Sequence, residues 1–303
     1  MTTTTDTETQ TEPRGASTPV RDVVRWSGLT SIQETENLAT EEPLEIRLAG
    51  IAMAVTMRTP GDDIELVTGF LLTEGIVKSL GEISSIAHCR DDAGAEEQNV
   101  VNVNLRDAAS FDVERLKRNF YSTSSCGICG KASIDAVRLQ AGSIPGGGSV
   151  EAATLYRLPD RLLAGQKTFR ATGGLHAAGL FDFQGECLVV REDVGRHNAV
   201  DKVIGWSARE APERLRQSIL MVSGRASFEV VQKALMAWIP LVAAVSAPSS
   251  LAVDLARTSG MTLVGFLRPE HFNVYAGAER VVAVPVPTEM SESKRNRRGT
   301  NLA

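Results

Sequence analysis

Residues 219–266 read ILMVSGRASFEVVQKALMAWIPLVAAVSAPSSLAVDLARTSGMTLVGF, and this stretch decides the fold class. Three short apolar runs, Ile219–Val222, Leu241–Val245 and Thr262–Phe266, are bounded by Ser, Gly and Pro and read as buried strands. Between them, Phe228–Trp238 and Leu251–Ser259 carry helical spacing. Upstream, Asn198–Ala208 adds a helix and Cys187–Arg191 a strand. Such alternation predicts an α/β fold whose sheet is mixed but mostly parallel, with covering helices. The longest nearly uncharged apolar run, Ala234–Ala247, contains Pro240 and is too short to span a bilayer; it reads as the end of a buried helix followed by a buried strand.

Three loops follow strands of this pattern: Ser223-Gly-Arg-Ala-Ser227, Ser246-Ala-Pro-Ser-Ser250 and Phe266-Leu-Arg-Pro-Glu-His271. In a parallel sheet all three lie on one edge, where open α/β sheets bind ligands. Helix N-termini furnished with Ser, Gly and Arg suit phosphates, so Ser223, Gly224 and Arg225 mark a candidate nucleotide or dinucleotide site. Ser and Gly are equally at home as plain caps and turns, and it is the joint placement that carries the reading.

The front of the chain reads differently. Leu44–Leu48 and Ile51–Met57 are strand-like runs joined by Ala49-Gly50, a tight hairpin. Asp62 stands at an N-cap with Glu65 three residues on, the spacing of a capping box, and Ile64, Val67, Leu71 and Leu72 give a helix an apolar face that ends at Gly75. Ile83–Cys89 and Val100–Leu105 read as two more strands around the polar loop Asp91–Gln98. Leu158–Thr172 reads as a helix entering Gly173-Gly174-Leu175-His176, and Gly146–Gly148 as a hinge. The expected organisation is a disordered tail over 1–20, a β-rich α+β domain over 21–145, a larger α/β domain over 146–287 and a disordered basic tail over 288–303.

Composition bounds the function. With 32 Lys+Arg against 37 Asp+Glu the net charge is −5, which argues against a general nucleic-acid binder. The hydrophobic fraction of 43% and charged fraction of 23% are those of a globular protein with a sizeable core. Met1–Ala16 is rich in Thr and acidic residues and lacks the features of a secretory signal, so a cytoplasmic location and no membrane span are expected. Four cysteines in 303 residues do not make a disulfide scaffold.

Two of those cysteines form the strongest single feature, Ser124-Ser-Cys126-Gly-Ile-Cys129-Gly130-Lys131. Glycines leave the thiols uncrowded, and a helix starting near Lys131 would aim N–H groups and partial positive charge at them, favouring the nucleophilic thiolate. The pair admits three chemistries. Half a zinc site needs a second ligand pair, and no second Cys-x-x-Cys exists. A thioredoxin-like dithiol normally follows a strand, whereas this pair follows a Ser/Thr-rich loop. A covalent sulfur carrier, with persulfide on Cys126 or Cys129 and the other thiol able to resolve it, suits an exposed loop best. His176 and His197 lie in polar, glycine-rich segments without an evident partner, and Glu192, Asp193 and Arg196 read as an ion-paired or solvated turn. Cys89 and Cys187, in apolar runs, are expected to be buried and inert. The His-x-Glu of zinc deaminases is absent: His176 is followed by Ala177-Ala178, and the cysteine pair comes earlier in the chain.

Several long motifs in one order carry a resemblance. Ser124–Gly130, Thr172–Gly179, Glu192–Lys202, Ser223–Ser227 and Ala247–Ala256 are similar to those of the FdhD family, the formate dehydrogenase accessory sulfurtransferases, from about Leu44 to Tyr275. The resemblance implies a protein that receives sulfur from a cysteine desulfurase on Cys126, with Cys129 as the second thiol. It implies delivery of that sulfur to molybdenum cofactor, in its bis(molybdopterin guanine dinucleotide) form, destined for formate dehydrogenase. It also implies a cofactor segment at Phe266, Leu267, Arg268, Pro269, Glu270 and His271, a cytidine-deaminase-like fold without the deaminase metal, and a homodimer. The alternatives left by the residues themselves are a dithiol oxidoreductase and a metal-binding accessory protein.

Overall fold

The computed structural model describes residues 18–107, 142–145 and 148–283. Val20–Ser27 (β1) and Thr30–Asn37 (β2) pair antiparallel as a two-stranded sheet with almost every side chain exposed. Glu42–Leu48 (β3) and Ile51–Arg58 (β4) are joined by Ala49 and Gly50, whose φ angles of 51° and 81° are those a type I′ hairpin turn requires. Asp63–Thr73 (α1), Ile83–Arg90 (β5) and Glu96–Leu105 (β6) complete a four-stranded sheet of order β4-β3-β6-β5, covered by α1. The period-two pattern of β3 turns Leu44, Ile46 and Leu48 inward, where they meet Val101 and Val103 of β6 and Leu66, Val67 and Leu71 of α1.

Asp62 does hold the N-cap position of α1, but the capping box does not form. The Asp62 carboxylate lies 3.2 Å from Arg191 Nε, and Glu65 accepts from the same guanidinium at 2.7 and 2.8 Å. A tertiary ion pair has taken the two carboxylates that local spacing assigned to the helix end.

The rest of the described chain runs Val150–Glu151 (β7), Ala152–Gly165 (α2), Lys167–Thr172 (α3), His176–Asp182 (β8), Cys187–Asp193 (β9), Arg196–Glu210 (α4), Ser218–Val222 (β10), Phe228–Met236 (α5), Leu241–Ala244 (β11), Ser250–Thr258 (α6), Thr262–Gly265 (β12), Asn273–Ala276 (β13) and Val281–Val282 (β14). Six of these strands form one mixed sheet in the order β13-β12-β11-β10-β8-β9. β10, β11 and β12 are mutually parallel and β9 runs the same way, while β8 and β13 run opposite. One face is covered by α4, α5 and α6 through Val200, Val203, Val231, Leu235 and Leu255. The other packs on α2 through Leu155, Leu158 and Leu162. Burial on both faces explains why these strands are continuous apolar runs rather than alternating ones.

One element goes beyond the expectations and two expectations are corrected. His176–Asp182, to which the sequence reading assigned no element, is a full strand inserted between β9 and β10. The helix read over Leu158–Thr172 is two helices broken at Gln166. Cys187 is exposed, not buried, because it opens the edge strand β9 beside a register shift; Cys89 on the edge strand β5 is half-buried. Burial of part of its surface still pushes the Cys187 thiol above its ordinary range, which disfavours the thiolate.

The two sheets are joined by a close crossing of α1 on α4. A Cβ added at Gly69 would stand 1.9 Å from the Asp201 carbonyl oxygen, and one at Gly205 would stand 1.9 Å from that of Glu65. Backbone cannot yield as a side chain does, so Gly69→Ala or Gly205→Ala is expected to force the helices apart and destabilise by about 2 kcal/mol or more. Urea unfolding measures this, and a midpoint unchanged in both variants would show that the crossing is not tight.

Candidate functional site

The three strand-end loops are bonded into one ledge. Ser246 N donates to Gly224 O at 3.2 Å, Ser249 N to Ala226 O at 3.1 Å and Phe266 N to Ser246 O at 3.2 Å. Arg268 closes the third loop, its Nη1 donating to Val245 O at 2.5 Å and its backbone N to His271 O at 2.9 Å. Ser227 and Ser249 cap the helices that follow, accepting from Val230 N at 3.4 Å and Ala252 N at 3.3 Å. The shared edge expected from the alternation is therefore present, with the N-termini of α5 and α6 opening onto it.

Along the ledge Arg225, Phe266, Arg268, Pro269, Glu270 and His271 are exposed, and Ser223 and Gly224 are partly so. Leu267 is fully buried, so only its backbone faces the edge. Ser223 Oγ accepts from Ala177 N at 2.9 Å, tying the first loop to β8. Phe266 takes a φ of 51°, unusual for a residue with a side chain, and the residue is 41% exposed. Its neighbour Gly265 has no room for more: an added Cβ would lie 2.9 Å from Pro248 Cδ and 3.0 Å from Tyr275 Cε2.

Because β8 runs antiparallel to its neighbours, its first residue, His176, reaches this same edge, opposite Asp193 at the end of β9. His176 Nδ1 is 3.6 Å from where a Cβ on Gly224 would stand. Burial, and next the charge of Arg196, hold the His176 imidazole below its ordinary range. His197, in the first turn of α4, places Nε2 3.0 Å from Glu229 Oε2, 3.3 Å from Ser227 Oγ and 3.3 Å from Arg196 Nε. Burial, then Lys233 and Arg196, push His197 down to about 3, whereas burial against the pull of Lys233, with help from Glu74, pushes Glu229 up to about 7. At neutral pH the imidazole is uncharged, and burial lets the carboxyl group keep its proton to a higher pH than an ordinary glutamate.

The rest of the segment 192–202 acts as a joint between the two sheets. Asp193 is fully buried; its Oδ2 lies 2.8 Å from Lys202 Nζ and accepts from Thr59 N at 3.2 Å, while Oδ1 accepts from Gly195 N at 2.8 Å and Asn198 Nδ2 at 3.0 Å. Lys202 also donates to Thr59 O at 2.9 Å, and Asn198 to Met57 O at 2.8 Å. Glu192 caps the N-terminus of α3, accepting from Thr168 N at 2.8 Å and Phe169 N at 2.7 Å. A second buried network, Lys233 with Asp201 at 2.9 Å, Glu74 at 3.0 Å and Thr73 Oγ1 at 3.0 Å, ties α5 to α4 and α1. Thr59, Thr73 and Glu74 carry no motif that sequence reasoning could have singled out; their roles come from partners more than 100 residues away.

Cys126, Cys129, the helix expected from Lys131 and the hinge glycines Gly146 and Gly147 lie outside the described residues. Among the described residues no group of three or more His, Cys, Asp and Glu side chains could hold a metal ion, and no helix is long and apolar enough to cross a membrane.

Comparison with known proteins places these features. Residues 39–282 match the model of the FdhD/NarQ family. The chain is 53% identical over 265 residues to the sulfur carrier protein FdhD of Mycolicibacterium paratuberculosis, covering 86% of this chain and 97% of that protein. It is 52% identical over 273 residues to the protein of that name in Streptomyces coelicolor, covering 88% and 96%. The crystal structure of a candidate formate dehydrogenase accessory protein from Desulfotalea psychrophila superposes with a TM-score of 0.69 at 26% identity, over 88% of this chain and all of that one. With the family model spanning most of the chain, and motifs, ledge and joint falling inside it, the chain belongs to the FdhD/NarQ family.

Proposed function

We propose that this protein is a cytoplasmic sulfur carrier that serves formate dehydrogenase. In this reading a cysteine desulfurase supplies sulfur to Cys126, and the sulfur is delivered to bis(molybdopterin guanine dinucleotide) held on the strand-end ledge. The observation that carries the reading is the pairing of a Cys-x-x-Cys inside the family match with that ledge, in relatives that bear the name sulfur carrier protein. The cofactor is cargo, and its guanine nucleotide end suits the ledge: helix N-termini, small residues at Ser223 and Gly224, and the cations Arg225 and Arg268 favour phosphate, while exposed Phe266 offers a face for a planar base. Pro269, Glu270 and His271 border it, and Leu267 contributes through its backbone. We further propose two units, 21–145 and 146–287, meeting at α1 and α4, in a homodimer.

The sulfur steps balance without an external oxidant. The Cys126 thiolate attacks the outer sulfur of the desulfurase persulfide, a new S–S bond forms at Cys126, and the desulfurase thiolate leaves. An acceptor takes the outer sulfur from Cys126, or Cys129 attacks the inner sulfur, expels sulfide and leaves a Cys126–Cys129 disulfide for a thiol reductant. A dithiol oxidoreductase would instead turn over thiols and disulfides with no dependence on a desulfurase.

The ledge is tested by calorimetry with a guanine nucleotide. Arg225→Ala removes an exposed cation and is expected to weaken binding about tenfold, on the order of one charge-assisted contact. Arg268→Ala is expected to cost more, since it also frees the third loop from Val245 O. Unchanged affinity in both variants would remove these residues from the site.

A further inference from the structure

We propose that the strand-end site takes up a proton when its phosphate-bearing ligand binds, and that the His197–Glu229 pair holds it. The inference rests on the nucleotide reading of the ledge and adds a linkage that neither the family match nor the names of the relatives imply. Ser227 is the last residue of the loop 223–227, caps α5 and lies 3.3 Å from His197 Nε2, so a ligand on that loop is one side chain away from the pair. At 3.0 Å the imidazole and carboxyl group touch without intervening water, and both are largely shielded, with 22% and 16% of their side chains exposed.

The charges around the pair decide where a proton goes. Facing it are Arg196 and Asp201 of α4, Lys233 of α5, Glu74 at the end of α1 and His176 of β8. Lys233 is already engaged by Asp201 and Glu74 at 2.9 and 3.0 Å, which holds its charge at home. Arg196 is then the one full positive charge in this set without such a committed acid, and His176 beside it is neutral-leaning. An arriving phosphate favours the protonated form of any nearby group. Glu229, shielded from water and in direct contact with His197 Nε2, which itself reaches Ser227 of the loop, is the group that responds. Protonating the pair removes a negative charge from the rear of the ledge at the moment a new one is added at its front. The sign follows: the bound state binds more protons, so affinity falls as pH rises.

The experiment is titration calorimetry of the full chain with GDP-mannose, a guanine pyrophosphate diester that has no ionisation of its own near neutral pH. Isotherms in buffers of different ionisation enthalpy count the protons exchanged. The wild type is expected to take up about half a proton or more per ligand at pH 7.5, its affinity falling by at most about tenfold per pH unit across the Glu229 titration and levelling off above it. Glu229→Gln, which keeps shape and neutrality, is expected to bind with no uptake and a flat pH profile. Binding of the wild type with no proton uptake overturns the inference alone, as does uptake that persists in Glu229→Gln, which would move the proton to His176 or elsewhere. No binding at any pH overturns the nucleotide reading itself, and the linkage with it.

Discussion

Cys126→Ala is expected to abolish sulfur loading and to reduce maturation of the client formate dehydrogenase to background, with the urea midpoint unchanged. The sulfur has one covalent entry in this account, and alanine removes the only atom that can form the S–S bond, so the effect is all-or-none rather than graded. The buried cores among the described residues are built without Cys126, which is why stability is expected to hold. Cys129→Ala separates the two exits: transfer by acceptor attack continues, and release through the intramolecular disulfide stops. Formate dehydrogenase activity in a strain that carries only the Cys126→Ala protein is the measurement, and full activity there would end the carrier assignment.

Lys202→Met is expected to be the most damaging replacement for stability. It leaves the Asp193 carboxylate, fully buried and ion-paired at 2.8 Å, without its counter-charge, and strips Thr59 O of a donor. Breaking one side of a buried ion pair costs about 3–5 kcal/mol. That is a large part of the roughly 5–15 kcal/mol that holds a typical domain folded. Because the pair joins the end of β4 to β9 and α4, the loss falls on the contact between the two sheets. A loss below about 1 kcal/mol in urea unfolding would mean that the carboxylate finds water or another partner, and that the joint is not what holds the sheets together.

Much of the architecture could be read because it is local. The strands β10, β11 and β12 are uninterrupted apolar runs between Ser and Gly stops, and the serines that precede α5 and α6 cap them as their positions suggested. The Ala49-Gly50 turn declared its hairpin for the same reason. β8 was hidden because its central residues, Ala177, Ala178, Gly179 and Leu180 among them, are buried on both faces, so neither alternation nor turn chemistry marks them as a strand. The β1–β2 hairpin was hidden for the opposite reason, since it buries neither face and so has no pattern of burial to write into its sequence.

The site divides along the same line. The loops that carry Ser223, Gly224, Arg225 and Phe266–His271 share one edge, as topology alone predicts, because parallel strands bring their C-terminal loops together. The segment 192–202 was legible as unusual, but not as a joint: Asp62 and Glu65 turning to Arg191, and Asp193 reaching Thr59 and Lys202, depend on a tertiary meeting that no spacing encodes. His197 likewise gave no sign of its partner, because Glu229 lies on a different helix.

The most direct test is intact mass spectrometry of the protein after incubation with a cysteine desulfurase and cysteine, without added reductant, followed by peptide mapping. A sulfur carrier gains the mass of one sulfur atom, lost on reduction and confined to the peptide that contains Cys126. An unmodified protein, under conditions in which the same desulfurase loads a known acceptor, would contradict the carrier assignment.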